Sequence, residues 1–346
     1  MSNTVQTLSP AALLMSSGTP WPAIAQTPPG APTAKPIPRE TIRLPAPGQP
    51  TLVLQRQDAA AGGAASGPGP DVIYVHGATF GAELSVFYRF DGRSWADALN
   101  EAGFIVWGFD FAGYGASDRY ASGGNDPRGR AEEALPQLER IVAAVRQRNQ
   151  GRPVVLLAHS SGTIVAARYA AAHPDHVLRL VLFAPITTRQ PAAAATAGAA
   201  LPPAYPLTVW AQYRRFIEDV PRGQPQVLSE ARFQEWSAQY LATDPGAGER
   251  RPPSVLTPSG PVADIGASWS GQRVFDAAAI KAPTLIVRGE WDSLCTDRDA
   301  LALNSALGAA VKEDVKIERA THLMHLEAGR TELHRRVNDF LRQTAD

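Results

Sequence analysis

A serine held at the apex of a tight turn can be made into a nucleophile, and Ala158-His159-Ser160-Ser161-Gly162 offers one. Small residues, Ala158 and Gly162, stand two positions to either side of Ser160. The apolar run Val154-Val155-Leu156-Leu157 precedes this turn, and residues 163–172 read as a helix. A strand therefore ends, the chain turns sharply, and a helix begins. Such a turn leaves no room for larger flanking side chains, so the spacing has a steric cause. A serine hydroxyl is a poor nucleophile at neutral pH and needs a base within hydrogen-bond reach. Histidine is the base of choice, and a carboxylate on its far nitrogen holds the useful tautomer. Both follow later in the chain. Asp292 closes Gly289-Glu290-Trp291-Asp292 after an apolar strand at 284–288, and His322 closes Ala320-Thr321-His322 after a strand at 315–317.

The chemistry that Ser160, His322 and Asp292 would perform is acyl transfer. His322 takes the Ser160 proton as an acyl carbon is attacked and returns it to the leaving group, while Asp292 stabilises the imidazolium. The tetrahedral oxyanion needs donors fixed in advance. The N–H of Ser161, at the positive end of a helix, is one. The strand Asp71–Val75 runs into His76-Gly77-Ala78-Thr79, and that loop should supply the second through Ala78, with Thr79 meeting the substrate. Losing one such donor typically costs about 3 kcal/mol of transition-state stabilisation.

Nearby groups read as structural. His325 lies on the turn after His322 and should face elsewhere. His322-x-x-His325 has no acidic partner at metalloprotease spacing, which argues against a metal. His159 should pack and orient, and His76 should brace its loop. Asp297 opens a helix at 297–307 and reads as its N-cap. Cys295, the one cysteine, suits a small buried filler and leaves no internal disulfide to form.

Stepping outward, Ser, Asp and His occur in that order, each at the C-terminal end of an expected strand. With the small-x-Ser-x-small turn, the His76-Gly77 step and the D-x-x-G-x-G-x-S run from Asp110 to Ser117, the chain resembles the α/β-hydrolase superfamily from roughly residue 40 to 345. Asp110 and Asp118 are taken as structural. Glu327, five residues after His322, repeats a spacing common in that superfamily. The resemblance implies an α/β fold: a mostly parallel central sheet, helices on both faces, and a helical cap after the strand that follows the serine helix. Strands are expected at 40–44, 51–56, 104–109 and 178–183. Helices are expected at 94–101, at 130–148 with Leu135, Leu138, Ile141, Val142 and Val145 on one face, and at 331–343. Residues 1–38 read as a Pro/Ala-rich arm and 59–70 as a linker. The core takes 39–185 and 276–346. The cap takes 186–275, with amphipathic pieces at 209–220 and 228–243. Most of its aromatics should form its own core; Trp210, Tyr213 and Trp236 are expected to meet the substrate. An apolar cap underside implies a covered pocket and a largely apolar substrate.

Composition excludes other classes. Basic and acidic residues number 33 each, which argues against nucleic acid or acidic membrane as partner. No apolar run reaches the length of about 18 needed to span a membrane. No Lys or Arg precedes Lys35, and Pro20 and Pro22 interrupt the one apolar stretch, so a cytoplasmic location is expected over export. No phosphate-binding glycine loop or clustered metal ligands occur, so neither cofactor nor metal is expected.

Within the superfamily, Ser160 argues against dehalogenases and epoxide hydrolases, which place a carboxylate there. The resemblance implies a carboxylic ester hydrolase acting on an ester or lactone through an acyl-Ser160 intermediate. It leaves open lyases and haloperoxidases that keep the triad, carbon–carbon hydrolases, acyltransferases and, in another class, a non-catalytic ligand-binding protein. Residues 74–80, Phe90-Asp91-Gly92-Arg93-Ser94-Trp95 and 113–119 look similar to bacterial esterases, including some that open macrolide lactones. A bulky lactone is consistent with a cap of this size, whereas a peptide is disfavoured.

Overall fold

β3 (Asp71–Val75) and β5 (Val154–His159) bury every residue, as parallel strands must when helices cover both faces of a sheet. The computed structural model describes residues 37–59, 69–121, 123–190 and 200–343. The expected arm, apart from residues 37 and 38, and most of the expected linker lie outside the described residues.

Eight strands form one sheet in the order β1-β2-β4-β3-β5-β6-β9-β10. The others are β1 (Arg39–Ala46), β2 (Gln49–Gln57), β4 (Ile105–Asp110), β6 (Val177–Phe183), β9 (Thr284–Gly289) and β10 (Lys312–Ile317). β1 and β2 run antiparallel at one edge, and all pairs from β4 to β10 are parallel. Strand alternation divides the core in two. Val72, Tyr74, Val155 and Leu157 pack beneath α1 (Trp95–Glu101) and α8 (Arg330–Arg342). Ile73, Val75 and Leu156 pack beneath α2 (Ala131–Arg148), α3 (Gly162–Ala172) and α7 (Asp297–Ala306). This is the α/β architecture that the resemblance implies.

Helix starts follow local chemistry. Ser94 caps α1 in a capping box with Asp97, so the helix begins one residue later than its cap. For α7 the reading that made Asp297 the cap is corrected. Thr296 is the cap, accepting from the Asp299 N–H while Asp299 accepts from the Thr296 N–H. Asp297 is the first helical residue and pairs instead with Arg288 at 2.5 Å and Lys316 at 3.2 Å.

Between β6 and β9 the chain leaves the sheet. The expectation of helices alone is corrected here, because this insertion also contains a two-stranded antiparallel sheet, β7 (Ala204–Thr208) and β8 (Ser254–Pro258). Pro206 and Pro258 disguise both strands in the sequence, yet Tyr205, Leu207 and Val255 are buried. Its helices are α4 (Val209–Ile217), α5 (Glu230–Ala242) and α6 (Gly260–Trp269). α6 was not foreseen. Phe216, Phe233, Trp236 and Tyr240 form the insertion's own core, joined by Phe80 and Leu323 from the main body.

Candidate active site

Ser160 stands between β5 and α3 with φ at +52°, a left-handed conformation that a non-glycine residue adopts only when its surroundings impose it. Its N–H donates to the Phe183 carbonyl at 3.0 Å, and its own carbonyl accepts from the Thr163 N–H and hydroxyl. The size rule around the serine now has named causes. A Cβ on Gly162 would meet the carbonyl oxygens of His76 and Val75, and one on Gly77 would lie 2.9 Å from the Ser160 Cβ.

Ser160 Oγ lies 2.8 Å from His322 Nε2, and His322 Nδ1 lies 3.0 Å from each carboxylate oxygen of Asp292. Asp292 Oδ1 also accepts from the N–H groups of Leu294 at 2.8 Å and Cys295 at 3.0 Å, which orient it. The loops carrying Asp292 and His322 are held together from below. The Glu290 N–H donates to the Ile317 carbonyl and the Trp291 N–H to the Ala320 carbonyl, continuing the β9–β10 pairing past its end. All three side chains are buried.

A carboxylate below the base pins its loop. Glu327 accepts from the Thr321 N–H at 3.2 Å and from the Thr321 hydroxyl, immediately before His322 in the chain. Burial pushes the Glu327 carboxyl up to about 7, against the pull of those two bonds. His159 does a related job. Its Nε2 lies 3.1 Å from the His322 carbonyl, which can only accept, so Nε2 carries the proton. Its ring stacks on Phe183, and burial, with the neighbouring histidines His325 and His322, drives its pKa well below the usual imidazole range. The tautomer of His76 follows in the same way. The Phe111 N–H donates to Nε2 at 3.0 Å, so Nδ1 carries the proton and donates to the Gly77 carbonyl. Asp110 accepts from the N–H groups of Ala82 and Ala116 and so ties together the loops after β3 and β4.

His325 does not simply face elsewhere. It is buried directly behind the site, its ring 4.7 Å from that of His159 and 5.2 Å from Phe183. Neither of its nitrogens has a partner among the described residues, and burial keeps it neutral. Cys295 is buried in the core beneath α7, where burial raises its thiol pKa well above the ordinary value.

A cavity opens above Ser160. Ala78, Thr79, Ser160, His322 and Leu323 line its floor, while Tyr205, Leu207, Gln212 and Val262 belong to the roof that the insertion supplies. Thr79 has φ at +76°, which turns the loop over at this point. Of the expected substrate contacts, Thr79 therefore lines the cavity, and Trp210, Tyr213 and Trp236 do not. Trp236 is fully buried inside the roof, its indole N–H donating to the Leu84 carbonyl at 3.0 Å. Tyr213 packs against Phe233, and Trp210 lies beyond it, partly exposed. The amphipathic pattern of α4 marked it as a packing helix without revealing which residues would look inward. Gln212, Arg215 and Glu218 were missed for that reason. Arg215 binds Glu218 at 2.6 Å and Asp219 at 3.0 Å, and Asp219 in turn accepts from Ser293, which latches the roof to the loop carrying Asp292.

Among the described residues no group of acidic, histidine or cysteine side chains could hold a metal ion, and no helix is long and apolar enough to cross a membrane.

The arrangement has relatives. A family model described as alpha/beta hydrolase fold matches residues 70–329. No curated protein matches the chain. Among solved structures it is similar to a thioesterase domain from the curacin biosynthetic pathway, with 17% identity over 88% of this chain and 100% of that one and a TM-score of 0.55. It is also similar to Est1E from Butyrivibrio proteoclasticus, solved with ferulic acid, with 17% identity, coverages of 87% and 97%, and a TM-score of 0.54. A monoacylglycerol lipase from Paleococcus ferrophilus gives 21% identity, coverages of 83% and 98%, and a TM-score of 0.51. Likeness at these identities speaks for the fold alone, while the family model spans well over half of the sequence. The chain belongs to the family with the alpha/beta hydrolase fold.

Proposed function

We propose that the protein is a serine hydrolase that cleaves a carboxylic ester or lactone of a largely apolar substrate through an acyl-Ser160 intermediate. The observation that carries this reading is the chain of contacts from Ser160 Oγ through His322 to Asp292, at 2.8 and 3.0 Å, at the floor of a cavity with a largely apolar roof. His322 Nε2 accepts the Ser160 proton as the hydroxyl oxygen attacks the acyl carbon. Asp292, already fixed by two backbone donors, holds the proton on Nδ1 and stabilises the imidazolium. The oxyanion is taken by the N–H groups of Ala78 and Ser161. His322 then protonates the departing alcohol, and a water activated by the same imidazole releases the acid.

The insertion serves as a cap. Its apolar lining, Leu207, Val262 and Ile265, favours an apolar acyl or alcohol portion, and Thr79 contacts the substrate near the scissile bond.

The test is hydrolysis of p-nitrophenyl esters of increasing acyl length by the wild type and by Ser160→Ala. The expected result is a chain-length preference in the wild type and a loss of at least ~10⁴-fold in kcat in the variant. Undiminished turnover by Ser160→Ala would overturn the assignment.

A further inference from the structure

Gln212 lies in the first turn of α4, is 1% exposed and lines the cavity above Ser160. Both its Oε1 and its Nε2 are buried, and neither has a hydrogen-bond partner among the described residues. Proteins leave few buried polar groups in this state, because a carboxamide stripped of water and unpaired is disfavoured. The helix that carries it is not loose. Thr208 caps α4 by accepting from the Ala211 N–H at 3.1 Å, and Phe216, one turn beyond Gln212, is fully buried in the roof's core. The side chain is therefore held, with its hydrogen-bonding capacity unspent, in the wall of a site that is otherwise mostly apolar.

We propose that Gln212 is a specificity-determining residue that reads a neutral substrate group able both to donate and to accept a hydrogen bond, a carboxamide or hydroxyl carried beyond the scissile carbonyl. The neutrality follows from the charges nearby. Arg215, a mostly buried cation lining the same cavity, is already matched by Glu218 and Asp219, and Arg214, which also lines it, is exposed where water screens its charge. No buried cation is left over to balance a substrate carboxylate. Tyr205, also lining the cavity, stays protonated because burial raises its pKa, and so adds a donor without charge.

The inference rests on the ester-hydrolase reading for its kinetic test, so a second readout is independent of turnover. Matched p-nitrophenyl esters, ω-carboxamido against methyl-terminated, from butanoate to decanoate, are compared in the wild type and in Gln212→Met. The wild type should prefer the carboxamide at one chain length, and the variant should lower that kcat/KM ratio about tenfold, the worth of one well-made hydrogen bond. The melting temperature of Gln212→Met should rise, since an unpaired amide has been replaced by an apolar chain of similar size; a purely structural role would lower it. Should Gln212→Met fail to fold, Gln212→Leu likewise removes both the donor and the acceptor and should lose the same preference. Binding is read in parallel as the melting-temperature shift given by octanamide. A shift present in the wild type and lost in the variant supports Gln212 even if no ester is hydrolysed, a result that would sink the ester reading alone. Equal ratios and equal octanamide shifts in both proteins would overturn the proposal.

Discussion

The floor and the roof of the cavity are built on opposite rules. On the floor each working polar group is tied to a partner: Ser160 to His322, His322 to Asp292, Asp292 to two backbone donors, and Thr321 to Glu327. In the roof Gln212 is left without one among the described residues, and Arg215 is spent on Glu218 and Asp219. The floor grows from the ends of parallel strands, whose register is set by the sheet. The roof hangs between β6 and β9 and is held by an aromatic core of its own. On the proposed reading, reactivity and selectivity come from separate pieces of chain. A fully bonded floor can hold a geometry to a fraction of an ångström, as catalysis requires. A roof with unspent hydrogen-bonding capacity waits for a ligand to complete it.

The largest effect is expected from replacing the two neighbouring histidines one at a time. His322→Gln should lower kcat by about 10⁴-fold, because the proton acceptor of the serine is gone. His325→Gln should keep activity within about tenfold, since neither His325 nitrogen has a hydrogen-bond partner among the described residues and its ring packs against His159. Steady-state hydrolysis of one p-nitrophenyl ester decides this, and reversed results would move the base from His322 to His325.

The next effect belongs to the roof. Trp236 stacks on Tyr240 at 5.1 Å and meets Phe80 and Phe216 edge-on, so Trp236→Ala should remove about 3–5 kcal/mol of stability, measured by urea unfolding. Esters with long acyl chains, which need the roof, should lose far more kcat/KM than the acetyl ester, which reacts at the floor. An equal loss on both would show that roof and floor do not act separately.

A smaller effect sharpens the account of the floor. Glu327 has a carboxyl raised to about 7 when folded, against an ordinary value of 4.5. Between those two pH values the unfolded chain gives up its proton first, so the stability associated with the buried acid is full below about 4.5 and is lost as pH rises through about 7. Glu327→Gln removes the titration. Relative to the variant, the wild type should lose up to about 3 kcal/mol between pH 4.5 and 7, and little more beyond. Thermal melts of both proteins across that range measure it. A constant difference would mean that Glu327 is ionised throughout.

How much of this was legible beforehand varies with distance along the chain. The turn at 158–162 and the buried run before it are local, so β5, α3 and the position of Ser160 could be read directly. Asp292 and His322 were found because each follows a short apolar strand, and strand ends are visible as composition changes. The cap of α7 was placed one residue late, because Asp297 and Thr296 are both good caps and only the partner at Asp299 separates them. β7 and β8 went unread since prolines and a five-residue length erase the alternation that reveals a strand. Trp210, Tyr213 and Trp236 were placed at the substrate because they are large and aromatic, which says how much surface a residue will bury and nothing about which side will bury it.

The sequence by itself determined the chemistry on offer: a serine in a sterically confined turn, followed in order by an acid and a histidine at strand ends. Those signals are encoded by neighbours within a few residues, where side-chain volume and backbone conformation act directly. The distances at which His322 and Asp292 meet Ser160, and the fact that Gln212 and not a tryptophan lines the roof, come from the tertiary structure. Those outcomes depend on contacts between residues well separated in the chain, 162 positions for Ser160 and His322 and 74 for Asp219 and Ser293, which no local signal encodes.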